Sequence, residues 1–383
     1  MFLRDARAHF HYRVANLFLR LQRDEAAANA YGRVLRVRPD DPQAQFQRAW
    51  CLLHVPRRRN EAITAFQSLL RVSPSAAGFF LLGCGLQQES RHQEAVQAFR
   101  EAARLESPGT ADLHYNYGIS LSALRRLEEA ADAYGNATHL NPSDGQAWGN
   151  LGAAFADLGR WKDAAPCQER AMRLAPSLTH GLNLGSTLCE LKRFEEAERV
   201  LRDVLVLDPR SVDAKELLAT VLTGQNRYNE AIKIARETCE ASSNAVSSRV
   251  VLAVALSEAG WLDEALRIAT AAAEAAPEDA RVHAALGTVY VKLKDGAAAL
   301  AAFERMAACL VPEAERLPPS PWVSYLSGRG VALSLLGRHD QAVVTFEEVL
   351  RTDPEFFERW PEEAPHYQLS LREAGRRTET GHS

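Results

Sequence analysis

The string ADLHYNYGISLSALRRLEEAADAYGNATHLNPSD fills residues 111–144, and GQAWGNLGAAFADLGRWKDAAPCQERAMRLAPS follows it at 145–177. Laid over one another they share a pattern. His114, Tyr117, Gly118, Leu121, Ala130, Tyr134, Ala137 and Pro142 stand where Trp148, Leu151, Gly152, Phe155, Ala164, Gln168, Ala171 and Pro176 stand in the second copy. A third copy at 178–211 carries Leu184, Gly185, Leu188, Ala197, Leu201, Val204 and Pro209. The prolines recur about every 34 residues, the period of a helix–turn–helix solenoid.

Numbered within each copy, positions 4, 7, 8 and 11 fall at i, i+3, i+4 and i+7 and form one apolar stripe on a helix A. Positions 20, 24 and 27 do the same for a helix B. Glycine or alanine at position 8 and alanine at position 20 let the two helices approach closely. The closing proline pushes the residue before it out of the helical region, which ends helix B. The pattern resembles the tetratricopeptide repeat, with its tryptophan, Leu-Gly, tyrosine, then alanine, phenylalanine and proline signature. That resemblance implies an all-α fold, a right-handed α-solenoid superhelix of helix–turn–helix repeats. The copies depart from the signature at Gln168, in place of an aromatic, and at Gly181, in place of tryptophan, where looser packing is expected.

Outward from the centre the phase is kept. The expected array runs over 1–310, with repeats at about 8–41, 43–75, 76–110, 111–144, 145–177, 178–211, 212–245, 246–279 and 280–310. Repeat two puts Trp50 where a small residue belongs, which predicts wider helix spacing, and repeats seven and eight replace helix B aromatics with alanine. Residues 311–322 hold four prolines and break the period, so they read as a connection and a candidate hinge. A tenth repeat follows at 323–356. Tyr367, Leu371 and Gly375 fit a lone capping helix over 357–376, and 377–383 form a polar tail.

A net charge of -4 gives no global case for nucleic acid or an anionic membrane. The charge is uneven: residues 1–75 hold thirteen arginines against six acidic residues. The basic triplet Arg57, Arg58, Arg59 reads as a solvated turn and not as a nucleic-acid contact. The six cysteines have no metal-binding spacing and read as apolar packers of a reducing compartment, with Cys51 and Cys84 at one repeat position. His9, His11 and His54 read as surface or groove residues. No leader and no apolar run of about 18 residues is visible, which points to a cytoplasmic protein with no direct membrane insertion. The richness in alanine and arginine fits a bacterial, GC-rich source.

No nucleophile elbow, phosphate loop or zinc-protease motif occurs. The expectation is a non-enzymatic protein without cofactor or metal. A second stripe on helix A, at positions 2, 5, 6, 9, 12 and 13, faces away from the packing stripe. In the tetratricopeptide family this stripe lines the concave groove. Position 6 is Asn116, Asn150 and Asn183 in the three central repeats. Asparagine is roughly 0.5–0.7 kcal/mol worse than alanine in a helix, so the repetition asks for a reason. Its amide matches the alternating C=O and N–H of an extended chain. The row resembles the asparagine ladders with which tetratricopeptide superhelices, including those of O-linked GlcNAc transferases, hold a peptide backbone. It does not resemble the carboxylate clamp of chaperone-binding repeats. Shared ancestry of the repeats and amides bonded within the array stand as alternatives.

Three such bonds supply at most about 1.5 kcal/mol each, whereas micromolar binding needs about 8. Pockets from Tyr115, Phe80, Leu81, Ile119 and Leu182, and further on Val250, Val251, Val254 and Val291, have to add the rest. Arg13, Arg20 and Arg48 make the N-terminal end basic. The reading is a scaffold or adaptor that takes an extended or partly helical partner segment in the groove, any acidic part lying near repeats one and two. A self-assembling homo-oligomer and an accessory subunit of a bacterial secretion or polysaccharide-export machine are the alternatives.

Overall fold

A computed structural model describes residues 2–106, 109–241, 246–310 and 319–380. Among these residues it is an all-α solenoid of helix–turn–helix repeats. The helix pairs are Phe2–Arg20 with Asp24–Val37, Pro42–Leu53 with Arg59–Val72, Ala76–Gln88 with His92–Leu105, and Ala111–Ala123 with Leu127–Leu140. Then come Gly145–Asp157 with Trp161–Leu174, Leu178–Glu190 with Phe194–Leu207, Val212–Gly224 with Tyr228–Ala241, and Val246–Glu258 with Leu262–Ala275. Ala280–Lys292 pairs with Gly296–Leu310, and Pro319–Leu335 with His339–Thr352, before a short turn Phe356–Arg359 and a last helix Ala364–Thr380. The tenth helix A starts at Pro319, so Pro319 to Trp322 are helical and not part of the connection. Proline suits that place because a helix's first residue needs no N–H partner. The hinge expected at 311–322 otherwise lies outside the described residues.

Two compact units divide at Ala154 and Phe155, inside helix A of repeat five. In the first, Tyr31, Phe66 and Phe99 are fully buried in two apolar clusters, and half-buried Trp50 packs against both. In the second, one cluster runs from Leu184 to Val289, followed by smaller ones around Phe303 and Phe346.

Close approach inside each repeat follows from position 8. A Cβ on Gly83, Gly118 or Gly287 would stand 2.6 Å from a ring atom of Phe99, Tyr134 or Phe303. Real Cβ contacts do not reach that distance, so only glycine admits those rings at this helix spacing. Gly181 leaves no loose spot, contrary to the expectation: Val204 Cγ2 fills the place, 2.3 Å from where a Cβ would be. Gln168 does carry a defect, being buried with an Oε1 that no group bonds among the described residues. Pro166 lies in the same helix and removes one of its hydrogen bonds.

The turn between helices A and B is equally regular. Residue 15 of nine repeats is left-handed: Gln22, Ser90, Arg125, Gly159, Lys192, Asn226, Gly260, Lys294 and Gly337. In repeat two Pro56 starts a turn of 3₁₀ helix instead. The next residue is often an arginine that grips the acidic residue three places on, at 2.6–2.9 Å. Arg58–Glu61, Arg91–Glu94, Arg126–Glu129, Arg160–Asp163, Arg193–Glu196 and Arg227–Glu230 follow this rule. Helix A starts differently: Ser75, Thr110, Ser177 and Ser211 each accept an N–H from three residues ahead, as N-caps do.

The last helix covers repeat ten, with Tyr367 stacked on Phe357 at 5.4 Å and 5.6 Å from Phe346. Leu371 does not join it; it is 44% exposed, while Ser370 is fully buried. Leu371 sits at position 8 of the helix, and no helix B faces it among the described residues.

Replacing Lys294, exposed at φ 61°, with glycine should raise stability by about 0.5 kcal/mol, the relief of left-handed strain less the added chain entropy. A higher thermal midpoint checks this. Gln168→Leu should stabilise by about 1–2 kcal/mol by removing an unpaired buried carbonyl. Chemical denaturation of both proteins measures the difference, and a lower midpoint in the variant would contradict the assignment.

Candidate partner-binding face

Once positions 4, 7, 8 and 11 are turned inward, helix A leaves its opposite stripe uncovered, and this stripe carries the three asparagines. All three are half-buried. Their amides are not equivalent. Asn116 Nδ2 donates to the Asp112 carbonyl of its own helix at 2.8 Å. Asn150 shares a hydrogen bond with the Tyr115 side chain, whose phenol is pushed up by burial and by the Asp144 charge, and drawn back by that bond. Asn183 makes no side-chain hydrogen bond among the described residues. Asn116 and Asn150 belong to the first compact unit and Asn183 to the second. Each amide has more bonding capacity than these contacts use.

The apolar residues named with them are all half-buried. Phe80 lies 6.1 Å from Phe99 and Tyr115 6.1 Å from Tyr134, ring to ring, so both brace the core while keeping one edge open. Leu81 packs against both clusters of the first unit, and Leu182 against the main cluster of the second. Ile119 is half-buried, as are Val250, Val251 and Val254. Val291 packs with the clusters around Phe303 and Phe346.

Arg13 and Arg20 are exposed on the first helix. Arg48 is turned another way: its guanidinium stands 3.6 Å from Glu61, and with Gly32, Arg33 and Arg36 it lines a cleft of about 400 Å³ against helix B of repeat one. Arg33 and Arg36 have no ion pair among the described residues. Burial, then Arg33, Arg7 and Arg36, lowers the pKa of His11, so it adds no charge there at neutral pH. His9 is exposed, as is His54, whose Nδ1 meets the Trp50 carbonyl at 2.9 Å.

Cys51 and Cys84 fall in separate clusters, and burial pushes both thiols up to about 12, which keeps them protonated. All six cysteines are free. Among the described residues no three His, Cys, Asp or Glu side chains converge in a metal-binding group, and no helix is long and apolar enough to cross a membrane.

Several polar residues on or beside this face escaped the sequence reading. Gln87 Nε2 reaches from repeat three to the Asn116 carbonyl and the Ser120 hydroxyl, each at 2.9 Å. Glu216 accepts from Ser247 and Ser248, both at 2.6 Å, joining repeats seven and eight. Glu198, only 8% exposed, is held by Arg202, Arg227 and Gln225; burial raises its pKa, but these partners more than reverse the effect. The signal available was position alone, Gln87 at 12 and Glu216 at 5, both on the open stripe; Glu198 gave none.

Comparison with known proteins agrees with this architecture. A family profile described as the cilia and flagella-associated protein 70 C-terminal domain matches residues 19–250. Tetratricopeptide-repeat profiles match residues 250–314 and 323–356. The BBSome complex member BBS4 of Bos taurus is 28% identical over 163 residues, 40% of this chain and 30% of that protein. The protein O-mannosyl-transferase TMTC1 of Homo sapiens is 28% identical over 126 residues, 32% of this chain and 14% of that protein. The chain thus spans less than a third of either relative. A crystal structure of a tetratricopeptide repeat protein from Parabacteroides merdae superposes with a TM-score of 0.53 at 17% identity, covering 68% of this chain and 98% of that one. With residues 19–250 inside one profile, the chain belongs to the family of the cilia and flagella-associated protein 70 C-terminal domain and is a tetratricopeptide-repeat protein.

Proposed function

We propose that this protein is a non-catalytic interaction scaffold that holds an extended or partly helical segment of a partner protein along the open stripe of its A helices. The observation that carries the reading is Asn183, a poor helix former kept half-buried on that stripe with no side-chain partner among the described residues. Leu182 beside it and Val250, Val251 and Val254 further along supply half-buried apolar surface for alternate side chains of the segment. Asn116 and Asn150 contribute through the capacity their internal bonds leave over. Arg13, Arg20, Arg33 and Arg36 favour an acidic portion at the N-terminal end.

The test uses a peptide selected from a displayed random library against the whole protein and then titrated. Asn116→Ala, Asn150→Ala and Asn183→Ala together should weaken it by about tenfold or more, the equivalent of about 1.4 kcal/mol, while the melting temperature holds. Equal affinity for both proteins would sink the reading.

Self-assembly is favoured by a different feature. Phe10 and Leu17 are 62% and 55% exposed along one face of the first helix, and Leu21, just past its end, is 56% exposed. A second copy that covers them would make the mass seen by light scattering rise with concentration, and a constant monomer mass across a wide range would remove this alternative.

A further inference from the structure

In a solenoid each repeat touches its neighbours only. The second compact unit departs from that rule where the exit of repeat ten meets the turns of repeats five and six. Lys162 Nζ donates to Glu355 at 2.7 Å, across 193 positions of sequence. Lys192 Nζ lies 3.5 Å from Glu362 and 4.1 Å from the centre of the Trp360 ring, an ion pair and a cation–π contact on one ammonium. Between them is a cavity of about 380 Å³, lined among others by Trp161, Glu190, Ser327, Arg359, Trp360 and Glu363. Arg359 pairs with Asp353, and Ser327 donates to Glu363, which holds the segment in shape from behind.

Lys162 is odd where it stands. Position 18, in the first turn of helix B, is acidic, neutral or amide-bearing in every other repeat: Glu25, Asn60, Gln93, Glu128, Glu195, Asn229, Asp263, Ala297 and Asp340. A cation there opposes the helix dipole, so Lys162 weakens its own helix while reaching Glu355. Lys192 holds the left-handed position of its turn at φ 55°, as lysine or arginine does in two other repeats, and its side chain meets both Trp360 and Glu362. Glu190 lies seven residues beyond Asn183, on the same face of helix A. Glu190 and Glu363 are half-buried beside the contact, and burial pushes the Glu363 carboxyl up to about 7 and raises that of Glu190.

We propose that residues 355–363 form a latch that clips repeat ten onto repeats five and six and closes the stretch of open stripe beginning at Asn183. Its ties are an exposed ion pair, Lys162–Glu355, and one with a half-buried lysine, Lys192–Glu362, and pairs open to water are weak and screened by salt, so the latch opens readily. A partner segment that reaches Asn183 has to displace it. This gating rests on the function proposed above; the latch itself does not.

The test compares hydrogen exchange of residues 353–363 in the full-length protein, without any partner, at low salt. Lys162→Glu with Lys192→Glu should speed exchange there by about tenfold, although neither substitution lies in the segment. Lys162→Glu also suits its helix dipole, so circular dichroism should show a folded variant. Restoring the first pair in reverse, Lys162→Glu with Glu355→Lys, should return slow exchange. Exchange that ignores all of these changes would overturn the latch. With a library-selected peptide that contacts Asn183, the opened variant should associate about fivefold faster, and equal rates would overturn the gating while leaving the latch. Failure to select any peptide that Asn183→Ala weakens would count against the scaffold function and not against the latch.

Discussion

The repeat rests on one close approach, the backbone of position 8 against the side chain of position 24. Where glycine meets an aromatic ring, as at Gly118 and Tyr134, the helices sit so near that a single added carbon would collide at 2.6 Å. That distance decides which face of helix A is spent on packing. Everything on the opposite face of helix A is then left over from this packing. Repeat five departs from the pairing through Gln168 and is also the place where the two compact units divide.

The face that remains is not uniform. Asn116 and Asn150 spend part of their bonding capacity on the protein itself, whereas Asn183 makes no side-chain hydrogen bond among the described residues. A conserved geometry at one repeat position therefore supports unequal chemistry. Long side chains explain part of this. Tyr115 can reach the next repeat and meet Asn150, and Arg48, at the same repeat position as the asparagines, bends toward Glu61. In the second unit, contact between residues 193 positions apart adds a term that neighbour-by-neighbour stacking lacks. One of its lysines, Lys162, sits poorly in its own helix.

The repeat signature was legible because packing demands the same small and large residues at every turn of the array. Tyr31, Phe66, Phe99 and Phe346 could be named as core from spacing alone, and all are buried. The left-handed residue at position 15 was not legible, since Ser90, Arg125, Lys192 and Lys294 fill it as readily as glycine does. Neighbouring hydrogen bonds and helix starts over-determine that backbone, so the usual marker is missing. Leu371 stands 44% exposed on the last helix, where no helix B lies against it among the described residues. Gly181 misled in the opposite direction, because Val204 grew into the room that a missing tryptophan leaves.

From its residues alone the chain determined the period, the two faces of each helix and the all-α solenoid, because burial of apolar side chains at 3.6-residue spacing has no other solution of that length. Only the tertiary structure decided which amides are already occupied, where Arg48 points, and that Glu355 and Glu362 meet Lys162 and Lys192. Those contacts depend on how small rotations accumulate from repeat to repeat, a sum over many helix packings that no single stretch of sequence encodes.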